Sequence, residues 1–218
     1  MPRKSLHRSN SLPYHVTARA NNREPFHLPL SRLWQVMGNE GLNLRIVYGV
    51  EFHAFVLMPN HFHMLITVPE HDLGIAMNVF MSSVSRLANL ISGRSGHVFG
   101  GPYHWSLISN ARYFGHALKY VYRNPVKANL CQKVEEYPYS TLHGLLGESR
   151  LVFPVHFTRG RMELSLPAIE PIEQLNWLNH SFSKEVEELI QKGLRKKLFD
   201  SLMNRNTGRP HESLSKLL

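Results

Sequence analysis

The sequence predicts an α+β protein, because segments with the two-residue period of a strand alternate with segments of helical period. Residues 52–68 contain two apolar runs separated by Pro59 and Asn60, which indicates two strands joined by a turn or interrupted by a bulge. Residues 73–91 repeat their apolar positions at intervals of three and four, as amphipathic helices do. Residues 111–124 form another helical pattern, which stops before Pro125. The predicted order is strand, helix, strand, strand, helix, strand, helix.

The chain begins with a basic arm that leads into the first strand. Residues 1–23 contain no acidic side chain, and residues 14–18 have the composition of a strand. We expect the basic residues of this segment to contact nucleic acid, and they are Arg3, Lys4, Arg8, Arg19 and Arg23. From Leu30 to Tyr48 apolar residues recur at helical spacing, which predicts a helix that packs on the sheet.

The strand after Asn60 carries two histidines one residue apart. Side chains two positions apart in a strand point to the same face, so His61 and His63 should project together while Phe62 and Met64 enter the core. Two neutral imidazoles on a rigid strand can supply two ligands to a divalent cation if a third polar ligand comes from elsewhere. The alternative is one surface histidine and one core histidine satisfied by a hydrogen bond.

The middle of the chain contains a capped helix and a further strand. Asp72 occupies the N-cap position of the helical pattern that follows it. Residues 92–96 form a glycine-containing loop without the glycine, lysine and hydroxyl pattern of a nucleotide-binding P-loop. Residues 97–108 then indicate another strand, which follows a turn at Gly100, Gly101 and Pro102.

The helix of residues 111–124 carries a polar stripe. Positions four apart lie nearly over one another, so His116, Tyr120 and Asn124 share one side of the helix while Tyr122 points the opposite way. Beside a strand with two histidines, Tyr120 can be a nucleophile, the Asn124 oxygen a third metal ligand, and His116 a supporting residue behind them. Taken singly, Tyr120 has the alternative of packing on the sheet, and Asn124 that of a residue that ends a helix before proline.

Composition bounds the class of protein. The chain has 218 residues, 43% of them hydrophobic, a net charge of +9 and a single cysteine. Neutralising phosphates releases counterions, so this basic excess favours a polyanion, with nucleic acid as the first candidate. Cys131 has no second thiol with which to form a disulfide or a zinc site. We find neither an eighteen-residue apolar run nor a signal peptide, and we expect a cytoplasmic, nucleoid-associated protein without a membrane partner.

Three motifs together resemble the single-tyrosine HUH transposases, and most closely their branch of REP-associated tyrosine transposases. They are Met58-Pro59-Asn60-His61-Phe62-His63, Tyr120-Val121-Tyr122-Arg123-Asn124-Pro125-Val126-Lys127 and Tyr137-Pro138-Tyr139-Ser140. The resemblance implies a ferredoxin-like antiparallel sheet with helices on one face. It implies that His61, His63 and Asn124 bind Mg²⁺ or Mn²⁺, that Tyr120 is the nucleophile, and that the substrate is single-stranded or hairpin DNA.

The resemblance divides the chain into a catalytic domain at residues 1–148 and a helical, basic extension at residues 149–218. Within the catalytic domain we expect Lys119, Arg123 and Lys127 to contact DNA. In the extension, residues 204–212 contain a Gly-Arg-Pro turn from which Arg205 and Arg209 could enter a minor groove. The alternative for this tail is a solvated helix at residues 183–204 with a frayed end.

Three functions follow as hypotheses. The first is a metal-dependent DNA transposase or nicking enzyme that cuts and rejoins DNA through a phosphotyrosine bond at Tyr120, acting either as a single chain or as a homodimer. The second is a DNA-binding regulator that kept the fold without the reaction, which the intact set of Tyr120, His61, His63 and Asn124 argues against. The third is an RNA-binding basic protein, a class that displays exposed aromatic residues on strands and needs no paired histidines.

Overall fold

The computed structural model describes residues 9–156 and 171–200. The predicted basic residues Arg3, Lys4, Arg8, Arg205 and Arg209 lie outside these ranges. The strands are β1 (Tyr14–Arg19), β2 (Glu51–Met58), β3 (His61–Thr67), β4 (His104–Ile108) and β5 (Leu198–Phe199). The helices are α1 (Leu30–Tyr48), α2 (Leu73–Ser92), α3 (Ala111–Lys127), α4 (Thr141–Leu145), α5 (Pro171–Asn179) and α6 (Lys184–Leu194). None of the described helices is both long and apolar enough to cross a membrane.

The strands form one sheet in the order β2-β3-β1-β4-β5. Neighbours among the first four strands are antiparallel, and β5 pairs with β4 in parallel. Pro59 and Asn60 form the turn of the predicted β2–β3 hairpin, and β3 pairs on its other side with β1, where Thr17 lies opposite His63. The predicted α+β class is confirmed.

One face of the sheet is covered by α1 and α2. Val16, Phe62 and Met64 point to this face and are buried in its apolar core, as predicted for Phe62 and Met64. Asp72 is the N-cap of α2, and its carboxylate accepts a hydrogen bond from the Gly74 N–H at 2.6 Å. An N-cap of this kind satisfies a donor that the first turn of the helix leaves unpaired.

The other face is covered by α3 together with α5 and α6. Ala54, Val56 and Leu65 of the sheet share a second apolar core with Val121 of α3 and Ile190 of α6. We expected the helices on one face, but the structure has a layer on each, because alternate residues of β2 and β3 are apolar on both sides. The edge of the sheet at β2 is covered by the chain that follows α3: the N–H of Leu57 donates to the Tyr139 carbonyl at 2.9 Å.

The helix that carries Tyr120 is longer than predicted. We placed its end before Pro125, whereas α3 continues to Lys127 with Pro125 in its last turn. The last turn closes through Asn129, which has a left-handed φ of 55°, and through the Leu130 N–H, which donates to the Pro125 carbonyl at 3.0 Å. This Schellman arrangement satisfies carbonyls of the final turn, so a proline this near the end does not stop the helix earlier.

Of the two remaining predicted elements, one is confirmed and one is shorter than predicted. The strand expected within residues 97–108, after the turn at Gly100, Gly101 and Pro102, is β4. The helix expected at residues 183–204 ends at Leu194, after which the chain turns and forms β5. The described part of residues 149–200 thus contributes a strand to the sheet and helices to the second core, while the division at residue 148 stays a prediction.

Candidate active site

A cleft of about 400 Å³ opens on the α3 side of the sheet, where β1 and β3 meet α3 and the end of α6. Polar residues at alternate positions of β1 and β3 form its floor, because residues paired across antiparallel strands point to the same face. The side chains that line it are His15, Thr17, Arg19, His61, His63, His104, Tyr120, Asn124, Gln191, Leu194 and Arg195. The structure therefore brings Tyr120, His61, His63, Asn124 and Arg19 together in one cleft.

The orientation of His61 is fixed by Asn60. The Asn60 amide donates from Nδ2 to the Arg23 carbonyl at 2.9 Å, and its Oδ1 lies 2.7 Å from His61 Nδ1. A carbonyl oxygen only accepts hydrogen bonds, so Nδ1 of His61 carries the proton and Nε2 keeps its lone pair. A hydrogen bond of this kind orients imidazole ligands in metal sites.

The second histidine of the motif is held by a third. His63 Nδ1 and His15 Nε2 are 2.9 Å apart, and the two rings stack with centroids 5.1 Å apart. When His63 Nδ1 donates this hydrogen bond, its Nε2 lone pair becomes available as a ligand. His15 is buried, and its Nδ1 has no hydrogen-bond partner among the described residues.

All three imidazoles are neutral at physiological pH. Burial lowers the pKa of His15 to about 3 and, together with the charge of Arg19, the pKa of His61 to about 4. Burial also holds the pKa of His63 well below its ordinary value, and His15, His61 and Arg19 lower it further. Metal ligation requires the neutral imidazole, so burial keeps the ligand form present without a metal's help.

Tyr120 reaches the cleft from α3. Its ring stands edge-on to that of His63, at a centroid distance of 5.8 Å and an interplanar angle of 87°. Burial raises the pKa of the Tyr120 hydroxyl, and so does Glu187, whereas Arg195 and Arg19 lower it. The phenol therefore keeps its proton at neutral pH, and its attack on a phosphate requires that this proton leave during the reaction.

Asn124 lies one helical turn beyond Tyr120. Its Nδ2 donates to the Tyr120 carbonyl at 2.7 Å, which leaves the amide oxygen as the remaining polar atom of the side chain. Residues 9–156 and 171–200 contain no group of three or more His, Cys, Asp or Glu side chains that could hold a metal. The predicted donors, two imidazoles and one carboxamide oxygen, thus line one cleft, and such nitrogen and oxygen ligands suit Mn²⁺ or a partly hydrated Mg²⁺.

The structure places His116 away from the cleft. It is buried behind α3, where its ring faces Tyr113 and Phe182 at centroid distances of 6.5 and 6.2 Å. Its supporting role behind the site stays a prediction, and its side chain does not line the cleft. The reason is that four residues, at 100° each, rotate 40° past a full turn, so the stripe leaves the cleft on its way up the helix.

Two basic residues predicted to bind DNA are also engaged elsewhere. Lys119 is buried, with its ammonium 4.9 Å from the ring centroids of both Trp177 and Phe182, which is a cation–π arrangement. Arg123 donates from Nη1 to the carbonyls of Leu178, at 3.1 Å, and Asn179 at the end of α5. A cation there stabilises the negative end of the helix dipole. Both side chains thus join α3 to α5.

The other described residues that we predicted to contact DNA are at least partly exposed to solvent. Lys127 forms a salt bridge of 3.0 Å with Glu187 and remains partly exposed. Arg23 is exposed, and its carbonyl holds Asn60. Of the predicted DNA contacts that the structure describes, Arg19 is the one that lines the cleft.

Sequence reasoning missed His15 on β1 and Gln191 and Arg195 on α6. The alternation of polar residues in His15-Val16-Thr17-Ala18-Arg19 contained a signal for His15, because it marks one face of β1 as polar. No local signal places α6 over the cleft, since that depends on how the C-terminal segment returns across the sheet.

Comparisons with known proteins place the chain in a family. No protein-family model matches the chain. The REP-associated tyrosine transposase of Escherichia coli (strain K12) is 30% identical over 116 residues, which are 52% of this chain and 67% of that protein. The chain belongs to the REP-associated tyrosine transposases. It is therefore an enzyme of the HUH type, and the resemblance stated from its motifs is confirmed.

Two further comparisons give the extent of the likeness. A putative REP-associated tyrosine transposase of Haemophilus influenzae is 26% identical to the present chain over 107 residues. These residues are 44% of this chain and 61% of the relative. The solved structure of a REP-associated tyrosine transposase bound to a REP hairpin superimposes with a TM-score of 0.59 and 20% sequence identity. It covers 76% of this chain and 96% of that one, which shows that the two share a fold.

Proposed function

We propose that this transposase cleaves and rejoins single-stranded or hairpin DNA through a covalent 5′-phosphotyrosine bond at Tyr120. One observation carries the proposal: the Tyr120 ring stands 5.8 Å from that of His63 in an open cleft. The same cleft holds His61 and the charge of Arg19, so a nucleophile, a ligand set and a phosphate-binding cation are adjacent. Each of these residues, taken singly, could have a purely structural role. A structural role for each does not explain why all of them line the same cleft.

The proposed reaction is a transesterification at one phosphorus atom. A bond forms between the Tyr120 phenol oxygen and phosphorus, and the bond from phosphorus to the 3′ oxygen breaks. The phenol loses its proton and the leaving 3′ oxygen gains one, so no external hydroxyl is consumed. Because the phosphotyrosine bond conserves the ester, a 3′ hydroxyl can later attack it and rejoin the strand without ATP.

The cleft fits the divalent cation that the HUH family implies. His61 Nε2, His63 Nε2 and Asn124 Oδ1 would hold Mg²⁺ or Mn²⁺. The hydrogen bond to Asn60 sets the tautomer of His61 that this requires, and His63 offers Nε2 in the tautomer whose Nδ1 donates to His15. When bound, the cation supplies charge stabilisation at the phosphoryl oxygens and aligns them with the nucleophile. Arg19 adds a fixed positive charge in the same cleft, and His15 keeps the ring of His63 in place.

We propose repeat hairpin DNA as the partner. The related structure that shares this fold is bound to a REP hairpin, and the net charge of +9 suits a polyanion. The ligands and the nucleophile all come from one chain, so a single protomer is sufficient for one cut. A homodimer could supply the two cuts of an excision, but it cannot form by pairing β2 edges, because residues near Tyr139 already cover that edge.

The test measures whether DNA becomes covalently attached to the protein. It compares wild type with Tyr120→Phe and with Tyr122→Phe, which is the matched control. Both substitutions remove one phenol oxygen from α3, but the Tyr122 hydroxyl is buried against Thr141 Oγ1 at 3.1 Å, away from the cleft. We expect wild type and Tyr122→Phe to form a protein–DNA adduct with hairpin oligonucleotides in Mg²⁺ or Mn²⁺. Tyr120→Phe should form none, while its DNA binding is retained.

Denaturing gel electrophoresis and mass spectrometry of the tryptic peptide identify the adduct. An adduct that persists in Tyr120→Phe would refute the assignment of the nucleophile. Wild type that binds hairpin DNA tightly but forms no adduct in either metal would show the non-catalytic regulator instead.

A further inference from the structure

The turn after α6 carries a cation into the cleft from the side opposite β1. Arg195 is the C-cap residue of α6, and it lines the cleft together with Gln191 one turn earlier. Arg19 lines the same cleft from the end of β1. Tyr120 therefore lies in a cleft to which two guanidinium groups contribute, one from each end of the chain.

The backbone at Arg195 is firmly anchored to β4. The Arg195 carbonyl accepts a hydrogen bond from His104 Nε2 at 3.2 Å, and the Lys197 carbonyl accepts one from the Leu107 N–H at 3.0 Å. The Lys197 ammonium lies 4.1 Å from the ring centroid of Trp105. The position of Arg195 is thus set by the sheet, whereas its side chain is exposed.

A close packing contact fixes the same turn from below. Gly193 lies directly against the buried ring of Phe199, and a Cβ at residue 193 would overlap that ring. This contact allows the chain to reverse from α6 into β5 within a few residues. The reversal directs Arg195 to the cleft, because α6 ends at Leu194, which itself lines the cleft.

The positive charge of Arg195 acts on the hydroxyl of Tyr120, and no carboxylate of the described residues pairs with it. Arg195 and Arg19 both lower the pKa of Tyr120, against the effects of burial and Glu187. Glu187 is paired with Lys127 at 3.0 Å, and no carboxylate of residues 9–156 or 171–200 forms a salt bridge with Arg195. A guanidinium that lines the cleft beside Tyr120, and that no described carboxylate pairs with, is suited to bind a phosphate oxygen.

We propose that Arg195 binds a non-bridging oxygen of the DNA phosphate in the cleft, so that the phosphodiester attacked by Tyr120 is held between Arg19 and Arg195. This inference rests on the proposed function and adds a phosphate-binding site from the C-terminal segment. Its role is electrostatic: the guanidinium stabilises the negative charge that grows on the phosphate oxygens as the new ester bond forms.

The experiment compares Arg195→Gln with Lys196→Gln in the full-length protein. Each substitution removes one positive charge from the same turn, but Lys196 is exposed and does not line the cleft. Single-turnover adduct formation is measured with a hairpin oligonucleotide that carries either a normal phosphodiester or an uncharged methylphosphonate at the cleavage position. Binding of the normal oligonucleotide is measured in parallel as a function of salt.

With the normal phosphodiester, Arg195→Gln should slow adduct formation on the order of 10²-fold, and Lys196→Gln by less than about threefold. With the methylphosphonate, the penalty of Arg195→Gln should disappear, because the charge that the guanidinium stabilises is absent. The slope of log affinity against log salt should decrease by about 0.7 for Arg195→Gln and stay unchanged for Lys196→Gln.

Equal effects of the two substitutions on the rate and on the salt slope would overturn the proposal, as would a penalty of the same size on the methylphosphonate. Failure of the proposed function looks different: wild type itself would form no adduct. In that case the salt slope still decides whether Arg195 binds phosphate.

Discussion

The two faces of the sheet are built by the same strands and differ at alternate residues. On the face under α1 and α2, Val16, Phe62 and Met64 are fully buried in an apolar core. On the opposite face, the neighbouring positions in β1 and β3 are His15, His61 and His63, and α3 leaves a cleft above them. The first face is apolar at these positions and the second holds the candidate site, and the strand period keeps the two sets of side chains on separate sides.

The second face contains buried polar side chains, whose loss of contact with water is unfavourable unless they are neutral and hydrogen-bonded. Buried imidazoles are kept neutral by desolvation and are joined to one another or to Asn60 by hydrogen bonds. Around them, Leu65 and Val56 of the same face pack against α3 as ordinary core. The candidate site thus lies at one end of this face, where β1 and β3 approach α6.

The sharpest contrast between the faces should come from His61→Ala. We expect adduct formation to fall on the order of 10³-fold, because a lost ligand removes several kcal/mol of charge stabilisation. The free energy of unfolding should change by less than about 1 kcal/mol, since His61 is only partly buried. Single-turnover kinetics and urea unfolding measure the two quantities. A large loss of stability with normal activity would mean that this histidine is structural.

The adjacent substitution, Phe62→Ala, should give the reverse result. Phe62 is 0% exposed and contacts the rings of Phe55, Phe80 and Phe99 at centroid distances of 6.2, 5.9 and 6.0 Å. Its truncation should lower the free energy of unfolding by about 3–5 kcal/mol. The folded fraction should form adduct at close to the wild-type rate. Loss of activity in protein shown by circular dichroism to be folded would contradict the separation of the two faces.

A smaller effect is expected from Asn60, which acts on the chemistry through His61. Asn60→Ala should weaken Mn²⁺ binding by about 10- to 100-fold, because His61 loses the acceptor that fixes its tautomer. Asn60→Asp keeps an acceptor at this position and should bind Mn²⁺ more tightly than Asn60→Ala. Titration followed by electron paramagnetic resonance measures the affinity directly. Equal affinities in the two variants would show that Asn60 serves only the turn.

The smallest effect should come from Lys119, a charge buried on the functional side of the sheet but outside the cleft. Burial and the nearby charge of Arg123 lower its pKa to about 8. The unfolded chain, with an ordinary lysine pKa of about 10.4, holds this proton more tightly than the native state between pH 8 and 10. The contribution of Lys119 to the free energy of unfolding should therefore rise with pH across that window.

The difference in unfolding free energy between wild type and Lys119→Met isolates this contribution from those of other titrating groups. It should be constant below about pH 7 and should shift in favour of wild type as the pH rises toward 10. Urea unfolding of both proteins at intervals of pH gives the difference. A flat difference would mean that Lys119 remains solvated in the native protein.

The local elements were predictable from the sequence because they depend on near neighbours. The β2–β3 hairpin follows from two apolar runs around Pro59 and Asn60, and α2 follows from its spacing and from Asp72. Pro125 misled the prediction, since a proline removes only the hydrogen bond that its own nitrogen would donate, and the last turn of α3 accommodates that loss. Lys119 and Arg123, which we predicted as DNA contacts, are engaged by Trp177, Phe182 and the end of α5. From the sequence alone, a basic residue on a helix is predicted to be exposed to solvent. Only the structure shows which other helix packs against it.

What the sequence by itself determined is the α+β class, the shared face of His61 and His63, and the side of α3 from which Tyr120 projects. These depend on periods of two and 3.6 residues, which are properties of the backbone. Only the tertiary structure decided that His15 joins His63, that helices cover both faces, and that α6 brings Arg195 over the cleft. These contacts join residues far apart in the chain, and they are selected by which apolar surfaces can be buried together, a property of the whole fold that no local pattern contains.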